Sequence, residues 1–469
     1  MKIDVLVAEI GSTTTAVNAV DLGGGGDTPR LLGQGMGATL EDPGDVTVAL
    51  RSAIRDLASN LGEASPDDLQ WDLMMAASSA AGGLSMSVHG LVYDMTVRAA
   101  REAALGAGAV IKMVTAGEMT QSDVEELRRL KPKIILLAGG VDYGEKHTAI
   151  WNAKMIADSK VGCPVIYAGN VAARPQIRDI FEQAGAKTYF VDNVYPKVDE
   201  LVVEPARRVI QQAFEEHIVT APGMDKIRTL VDGPIMPTPG AVMEACKLLW
   251  PVLGDLCAVD VGGATVDVHS VAKGSPEIQA MLEAPEPLAK RTVEGDLGIH
   301  VNARNIAELV QDRVQLELGF DPWPVLQRLE VIPKTEHQVK LVCYLRDAAV
   351  NMAFKRHVGV IKHLYGPQGR MTVASGKDLS SVRLIIGTGG PLTRLPGGAE
   401  ALSGLIGKGY GRELYPAAAE VALDSQYIMA MCGVLSKRFP EQAKNLLLQS
   451  LGLNHEVSGY YNRQGQVGT

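Results

Sequence analysis

The sequence reads as an α/β protein built from two related halves. Three observations lead there: a strand–turn–strand unit that occurs twice, a second pair of similar segments at nearly the same offset, and an alternation of strand-like and helix-like stretches between them.

The repeated unit comes first in the chain. Val5-Leu6-Val7-Ala8-Glu9 is a buried-strand pattern ending in a carboxylate, Gly11-Ser12-Thr13-Thr14 is a small-residue turn, and Val17, Ala19 and Val20 lie on a second strand. Leu256-Cys257-Ala258-Val259-Asp260, Gly262-Gly263-Ala264-Thr265 and Val266-Asp267-Val268 repeat that plan, with Glu9 and Asp260 separated by 251 positions. Ile134-Ile135-Leu136-Leu137-Ala138-Gly139-Gly140 resembles Leu384-Ile385-Ile386-Gly387-Thr388-Gly389-Gly390, and Gly139 and Gly389 are 250 positions apart. The shared offset assigns both pairs to equivalent places in two halves.

Between these landmarks, Val46 to Leu61 has apolar residues at helical spacing, and Ser122 to Leu130 is acidic early and basic late, as a helix dipole prefers. Pro164 to Gly169 reads as a strand ending at glycine, and Val198 to Ile218 as a long amphipathic helix. Ala221 to Gly240 is dense in proline and glycine and reads either as the boundary between halves 1–240 and 241–469 or as a loop lining the cleft. The polar tail from His455 to Thr469 is expected to be mobile or partner-dependent.

Composition narrows the function. The chain has 469 residues and a formal charge of -9, which argues against a nucleic-acid binder. Its basic stretches, Arg128 to Lys133 and Lys355-Arg356-His357, lack interleaved aromatics and read as solvated helix ends. Cys163, Cys246, Cys257, Cys343 and Cys432 are scattered, which fits a reducing compartment and disfavours disulfides, zinc or an iron–sulfur cluster. The N-terminus turns charged too early for a secretory segment, and no apolar run approaches the roughly 20 residues that span a bilayer, so the expectation is a soluble, cytoplasmic protein.

Two glycine- and hydroxyl-rich turns are what a triphosphate needs: close backbone approach, consecutive N–H donors and side-chain hydroxyls. Gly11, Ser12, Thr13 and Thr14 form one such set, and Gly262, Gly263 and Thr265 the other. Glu9 and Asp260, at the strand ends, are placed to hold Mg²⁺ through its waters. Gly387, Gly389 and Gly390 fit a strand-to-helix turn against which a purine and ribose could lie, or on their own simply a packing turn. Arg291 to Gly298 contains Glu294 and Asp296, either of which could orient the attacking water, or the stretch is a polar loop with two turn glycines. Asp142 is open to the same two readings.

These motifs resemble the two phosphate motifs and the adenosine motif of the actin, sugar-kinase and heat-shock ATPase superfamily, in the superfamily's order. The resemblance implies two ribonuclease-H-like domains of the actin-like ATPase fold facing a nucleotide cleft, with ATP and Mg²⁺ as ligands. One departure is Glu9, where the first motif usually begins with Asp. Tyr427 to Gly433 is similar to the late connecting helix, where Ala430 and Gly433 would let two domain helices cross closely and hinge.

A closer resemblance is to the GlmL family, also called MutL and unrelated to the mismatch-repair protein. It is carried by Glu9 to Thr15, Ala138 to Asp142, Tyr167 to Asn170, Val191 to Pro196, Thr292 to Gly298 and Gly387 to Gly390. It implies an accessory protein to an adenosylcobalamin-dependent mutase, such as glutamate mutase or an ornithine-type aminomutase, that uses ATP to release damaged cobalamin. The chain itself lacks the Asp-x-His-x-x-Gly cobalamin signature: Ile361 stands where the Asp would precede His363, and His363 reads as a helix residue. A small-metabolite kinase and a filament-forming actin-like protein are the competing readings of the same motifs.

Overall fold

The computed structural model describes residues 1–453 except 12, 25–27, 40–44, 80–83, 219–223, 367–368 and 410. Ser12, the Ala221-Pro222-Gly223 part of the expected boundary and the tail from His455 lie outside the described residues.

The strands are β1 (Lys2–Ile10), β2 (Thr14–Asp21), β3 (Arg30–Ala38), β4 (Gln70–Ser78), β5 (Leu84–Gly90), β6 (Ala109–Ala116), β7 (Ile134–Leu137), β8 (Val165–Tyr167), β9 (Thr188–Phe190), β10 (Ile235–Pro237), β11 (Leu256–Val261), β12 (Val266–Val271), β13 (Ala289–Glu294), β14 (Val360–Gly366), β15 (Gly369–Ser375), β16 (Leu384–Thr388) and β17 (Glu420–Leu423). Among the described residues they form three five-stranded sheets and one hairpin: β10-β4-β1-β2-β3, β13-β12-β11-β16-β17, β6-β5-β7-β8-β9 and β14-β15.

The first two sheets have one plan. In each, a central strand pairs antiparallel with the next strand through a tight turn and parallel with a later strand on its other side. The repeat holds at atomic detail: Gly11 N donates to Thr14 O at 2.9 Å, and Gly262 N donates to Thr265 O at 2.9 Å. Glu9 lies opposite Ala16, and Asp260 opposite Asp267, the same register shifted by the same offset. This is the α/β, two-lobed actin-like arrangement that the sequence predicts.

The second pair of segments is not equivalent. β16 lies beside β11, with Thr388 next to Asp260. The strand holding that place beside β1 is β4, with Ala77 next to Glu9. β7 belongs to the third sheet, which is parallel throughout and is inserted between β4 and β10. An apolar run ending in glycines marks any buried parallel strand that feeds a helix, so the pattern does not specify a position in the fold.

The helices follow local chemistry. Val46–Asn60 is capped by Asp45, which accepts from Thr47 N at 2.9 Å, and Gln121–Leu130 starts on a Thr120–Asp123 capping box. The expected helix from Val198 begins only at Glu204, because Pro205 suits a first helical turn and disfavours helix before it. Asp199 adopts a left-handed φ of 62° just upstream. His363 stands on β14, not on a helix, with its imidazole against Thr372 and Arg370. His357 is buried between Ser270 and Thr292, at 2.8 and 2.9 Å, rather than solvated. The five cysteines are free thiols. No helix among the described residues is long and apolar enough to cross a membrane.

One apolar cluster joins the lobes. It contains Val5, Val7 and Met75 from the first sheet, Leu256, Ala258 and Ile386 from the second, and the helices Thr238–Leu253 and Met429–Leu435. These two helices cross so closely that a Cβ on Gly433 would lie 1.8 Å from the Ala241 carbonyl oxygen. Gly433 therefore does make the close crossing that the sequence suggests, and Ala430 is buried in the same apolar cluster. Gly433→Ala is expected to lower stability by about 1–3 kcal/mol through overpacking, read from urea unfolding. An unchanged midpoint would show that the helices part at no cost.

Candidate functional site

The two turns converge. A Cβ on Gly263 would lie 3.0 Å from the Thr13 side chain, so one turn reaches the other across the cleft. Between them opens a cavity of about 270 Å³. Glu9, Gly11, Thr13 and Thr14 line it from the first lobe, and Asp260, Gly262, Gly263 and Thr265 from the second. The Gly263 carbonyl already accepts from the amides of His300 and Val301, at 2.9 and 2.8 Å, so what this turn can offer a ligand is donors.

The strand-to-helix turn after β16 divides into packing and lining residues. Gly390 and Pro391 line the cavity, and a Cβ on Gly390 would meet open space. Gly389 has φ 90°, and a Cβ there would lie 2.2 Å from Val261 O, so only glycine lets this turn close on β11. Gly387 is buried within β16, where a Cβ would meet Leu402 and Leu423 at 2.7 Å. It packs between these two leucines and is not among the residues that line the cavity.

Glu294 and Asp296 do not face the cavity. Both are held by Arg356, at 2.5 and 2.8 Å, from the last turn of helix Glu336–His357. Their segment supports the second turn from behind: Asn302 Nδ2 donates to Ala264 O and Gly295 O, and a Cβ on Gly298 would lie 2.2 Å from the Ala264 carbonyl carbon. The expected water-orienting carboxylates are thus ion-paired supports. Asp142 is likewise structural, accepting from Val171 N and Asn193 Nδ2 at 3.0 and 2.9 Å in the third sheet.

Several site residues carry no sequence motif of their own. Asp424 is fully buried and accepts from Thr388 Oγ1, Ser450 Oγ and the amides of Ile428 and Met429, locking β16 to helix Met429–Leu435. Tyr427, with a left-handed φ of 54°, lines the cavity. Asp267 also lines it, accepts from Thr265 Oγ1 at 2.9 Å and pairs with buried Arg291 at 2.7 Å. Asp267 and Tyr427 stood within segments already read: Asp267 lies two residues beyond the second turn, on the alternate face that a strand repeats, and Tyr427 opens the segment similar to the late connecting helix, whereas Asp424 lay in neither.

The electrostatics are those of an anionic hole. Burial, then Asp260, then Asp424 push the Glu9 carboxyl up to about 8. Burial, then Asp267, raise Asp260 to about 7, with Arg291 opposing and Asp424 adding. The Tyr427 hydroxyl is raised well above its usual value, first by Glu9 and then by burial. Among the described residues, no group donates a hydrogen bond to the carboxylates of Glu9 or Asp260, and no cluster of three or more His, Cys, Asp or Glu side chains is built to hold a metal directly. Two unshielded carboxylates facing a cavity suit a hard cation held through water, as Mg²⁺ prefers.

A raised carboxyl pKa has a definite sign. The protonated form is favoured in the folded state, so stability present below about pH 4 is lost as pH rises through 7 to 8. Glu9→Gln should therefore stabilise the ligand-free protein at pH 8.5 and leave it nearly unchanged at pH 4, by urea midpoints. Equal effects at both values would contradict the charge argument.

A family model describing the MutL protein matches residues 5–451. The chain is 37% identical over 467 residues to Protein MutL of Clostridium tetanomorphum, covering 95% of this chain and 98% of that one. Among solved structures it is similar to nucleotide-free acetone carboxylase (12% identity, TM-score 0.38, 92% of this chain and 70% of that chain). It is also similar to nucleotide-free diol dehydratase-reactivating factor (11% identity, TM-score 0.35, 93% and 100%). Structural likenesses this remote carry no functional weight, whereas the full-length sequence match does assign the family: the chain belongs to the MutL family.

Proposed function

We propose that the protein binds Mg²⁺–ATP between lobes 1–240 and 241–469, hydrolyses it, and uses the cycle as a cytoplasmic accessory factor to an adenosylcobalamin-dependent mutase, releasing damaged cobalamin. The observation that carries the nucleotide part is the pair of turns closed by matching hydrogen bonds, Gly11 to Thr14 and Gly262 to Thr265, meeting across one cavity with Glu9 and Asp260 behind them. The mutase part rests on the family to which the chain belongs.

In this reading the amides of Thr13 and Gly263 and the hydroxyls of Thr13, Thr14 and Thr265 hold the phosphates, while the Gly11 amide closes its own turn on Thr14 O. Ser12 would add a hydroxyl. Gly389 and Gly390 shape the turn that borders the nucleoside end. Glu9 and Asp260 hold the metal through its waters, and the metal when bound supplies charge neutralisation to the phosphates. Both turns touch the ligand well only when the cleft is closed, so ATP favours closure through differential contacts. The crossing at Ala430 and Gly433 is the pivot.

Asp260→Asn is expected to abolish ATP turnover, roughly a hundredfold or more, in line with removing a principal electrostatic contributor. The melting temperature should stay near or above that of the parent, because the lost charge was a folding liability. Wild-type turnover in the variant would remove Asp260 from the site. Binding is read by calorimetry with Mg²⁺–ATP between pH 6 and 9. Affinity should rise across that range as Asp260 and then Glu9 give up their protons, and a flat profile would contradict the metal assignment. Turnover that rises with an added metabolite and not with a mutase would make the protein a kinase.

A further inference from the structure

Arg291 joins the third sheet to a carboxylate that lines the cleft, and we infer that it relays nucleotide occupancy to that sheet. The inference rests on the ATP reading above and goes beyond it by naming a second module that responds.

Arg291 lies on β13, is 1% exposed, and touches both parts. Its Nε and Nη2 donate to Asp267 Oδ1 at 3.1 and 2.7 Å. Its Nη1 donates to Leu105 O at 3.0 Å and to Ala109 O at 3.4 Å. Leu105 is in the last turn of helix Arg98–Gly106, and Ala109 opens β6, the edge strand of the third sheet. The guanidinium therefore neutralises a cleft carboxylate with one side of its fork and caps a helix C-terminus with the other.

The surrounding junction is ionic. β13 is the edge strand of the second lobe's sheet, and helix Arg98–Gly106 packs against it. Arg98 pairs with Glu286, and Lys290 reaches Glu286 at 2.9 Å and Glu102 at 3.6 Å. Arg207 donates to Ala289 O at 2.7 Å and Glu102 O at 3.2 Å. Burying this much charge is a poor route to stability, since apolar residues of the same volume often do as well or better. Its arrangement can respond to a change of charge, which an apolar junction would not do.

The change starts at Thr265, whose hydroxyl has a single proton to give. It now goes to Asp267 Oδ2 at 2.9 Å. A phosphate oxygen seated on this turn competes for that proton. Once it is taken, Asp267 depends on Arg291 alone and draws the guanidinium toward the cleft. The bonds that yield are those of Nη1, beginning with the long one to Ala109 O. ATP should therefore loosen the corner between helix Arg98–Gly106 and β6, a site outside the cleft.

Hydrogen exchange on the full chain, with and without a saturating non-hydrolysable ATP analogue and Mg²⁺, tests this, with binding verified by calorimetry on the same sample. Residues 103–112 should exchange at least about fivefold faster in the bound state, the lower end of ordinary coupling between sites. General rigidification by a ligand would instead slow them. Arg291→Lys keeps a charge beside Asp267 but lacks the fork to reach both carbonyls. It should bind the analogue and lose the difference. Unchanged or slower exchange at 103–112 in bound wild-type protein overturns the relay, as does a wild-type response in Arg291→Lys. If the lysine variant does not fold, the wild-type comparison decides alone. Failure of the wild-type protein to bind would instead overturn the ATP reading itself.

Discussion

Glu9 and Asp260 end the two central strands of the two lobes, and neither has a counter-ion of its own. The burial of these carboxylates, with the charge of Asp260 adding at Glu9 and that of Asp267 adding at Asp260, is the constraint around which the rest of the structure is arranged. An isolated buried carboxylate takes up a proton or finds a partner. Here both pKa values are raised toward neutrality, and among the described residues no group donates a hydrogen bond to either carboxylate, Arg291 opposing the shift of Asp260 only through its charge. A fold that only needed to be stable would have placed apolar or paired residues at these positions. A cation-bearing ligand is the partner that makes the arrangement consistent.

Holding the two strand ends together demands unusual packing behind them. The lobes meet through helices Thr238–Leu253 and Met429–Leu435, whose separation is set by the absence of a side chain at Gly433. The N-terminus of the second of these is fixed by Asp424, a carboxylate that spends its acceptors on two amides and two hydroxyls. Its negative charge still reaches Glu9 and Asp260 and adds to their repulsion. The same residue that orders the lobe interface therefore also raises the energy of the empty cleft. Packing and electrostatics are coupled here through one side chain.

What the sequence made legible follows from this. The two hairpins hold strand, carboxylate and turn in consecutive residues, so these could be read directly, and the structure repeats the Gly11–Thr14 hydrogen bond at Gly262–Thr265. Gly389 and Gly433 were readable because a missing side chain is itself a signal. Asp424 was not, because its partners Thr388 and Ser450 are distant in the chain and only the fold brings them together. Glu294 and Asp296 misled because two acids beside two glycines look like a cleft loop, and nothing local reveals that Arg356 occupies them. β7 misled in the opposite direction: its pattern is genuine for a buried parallel strand, but five such strands belong to a sheet of their own.

That third sheet changes what the cleft has to do. Its strands follow the order β6-β5-β7-β8-β9, so the chain reverses direction across the sheet at β5 and β7, the doubly wound plan in which loops at the strand ends are left free to meet ligands or partners. Those loops are held rigid by their own polar network. Asn170 takes the amides of Tyr143 and Ala172 at 2.9 Å, and Asn193 ties Gly140 O to Asp142. The side chain of Tyr143, held at a left-handed φ, is 85% exposed. A rigid module set beside a cleft whose ligand changes its charge can be moved as a body without being deformed. The stiffness lies within the third sheet, and the charged, redistributable contacts lie at its junction with β13. That division of mechanical properties would suit the nucleotide-driven accessory role proposed above, with the cleft as the part that senses, the third sheet as the part that keeps its shape, and the ionic junction between them as the part that responds.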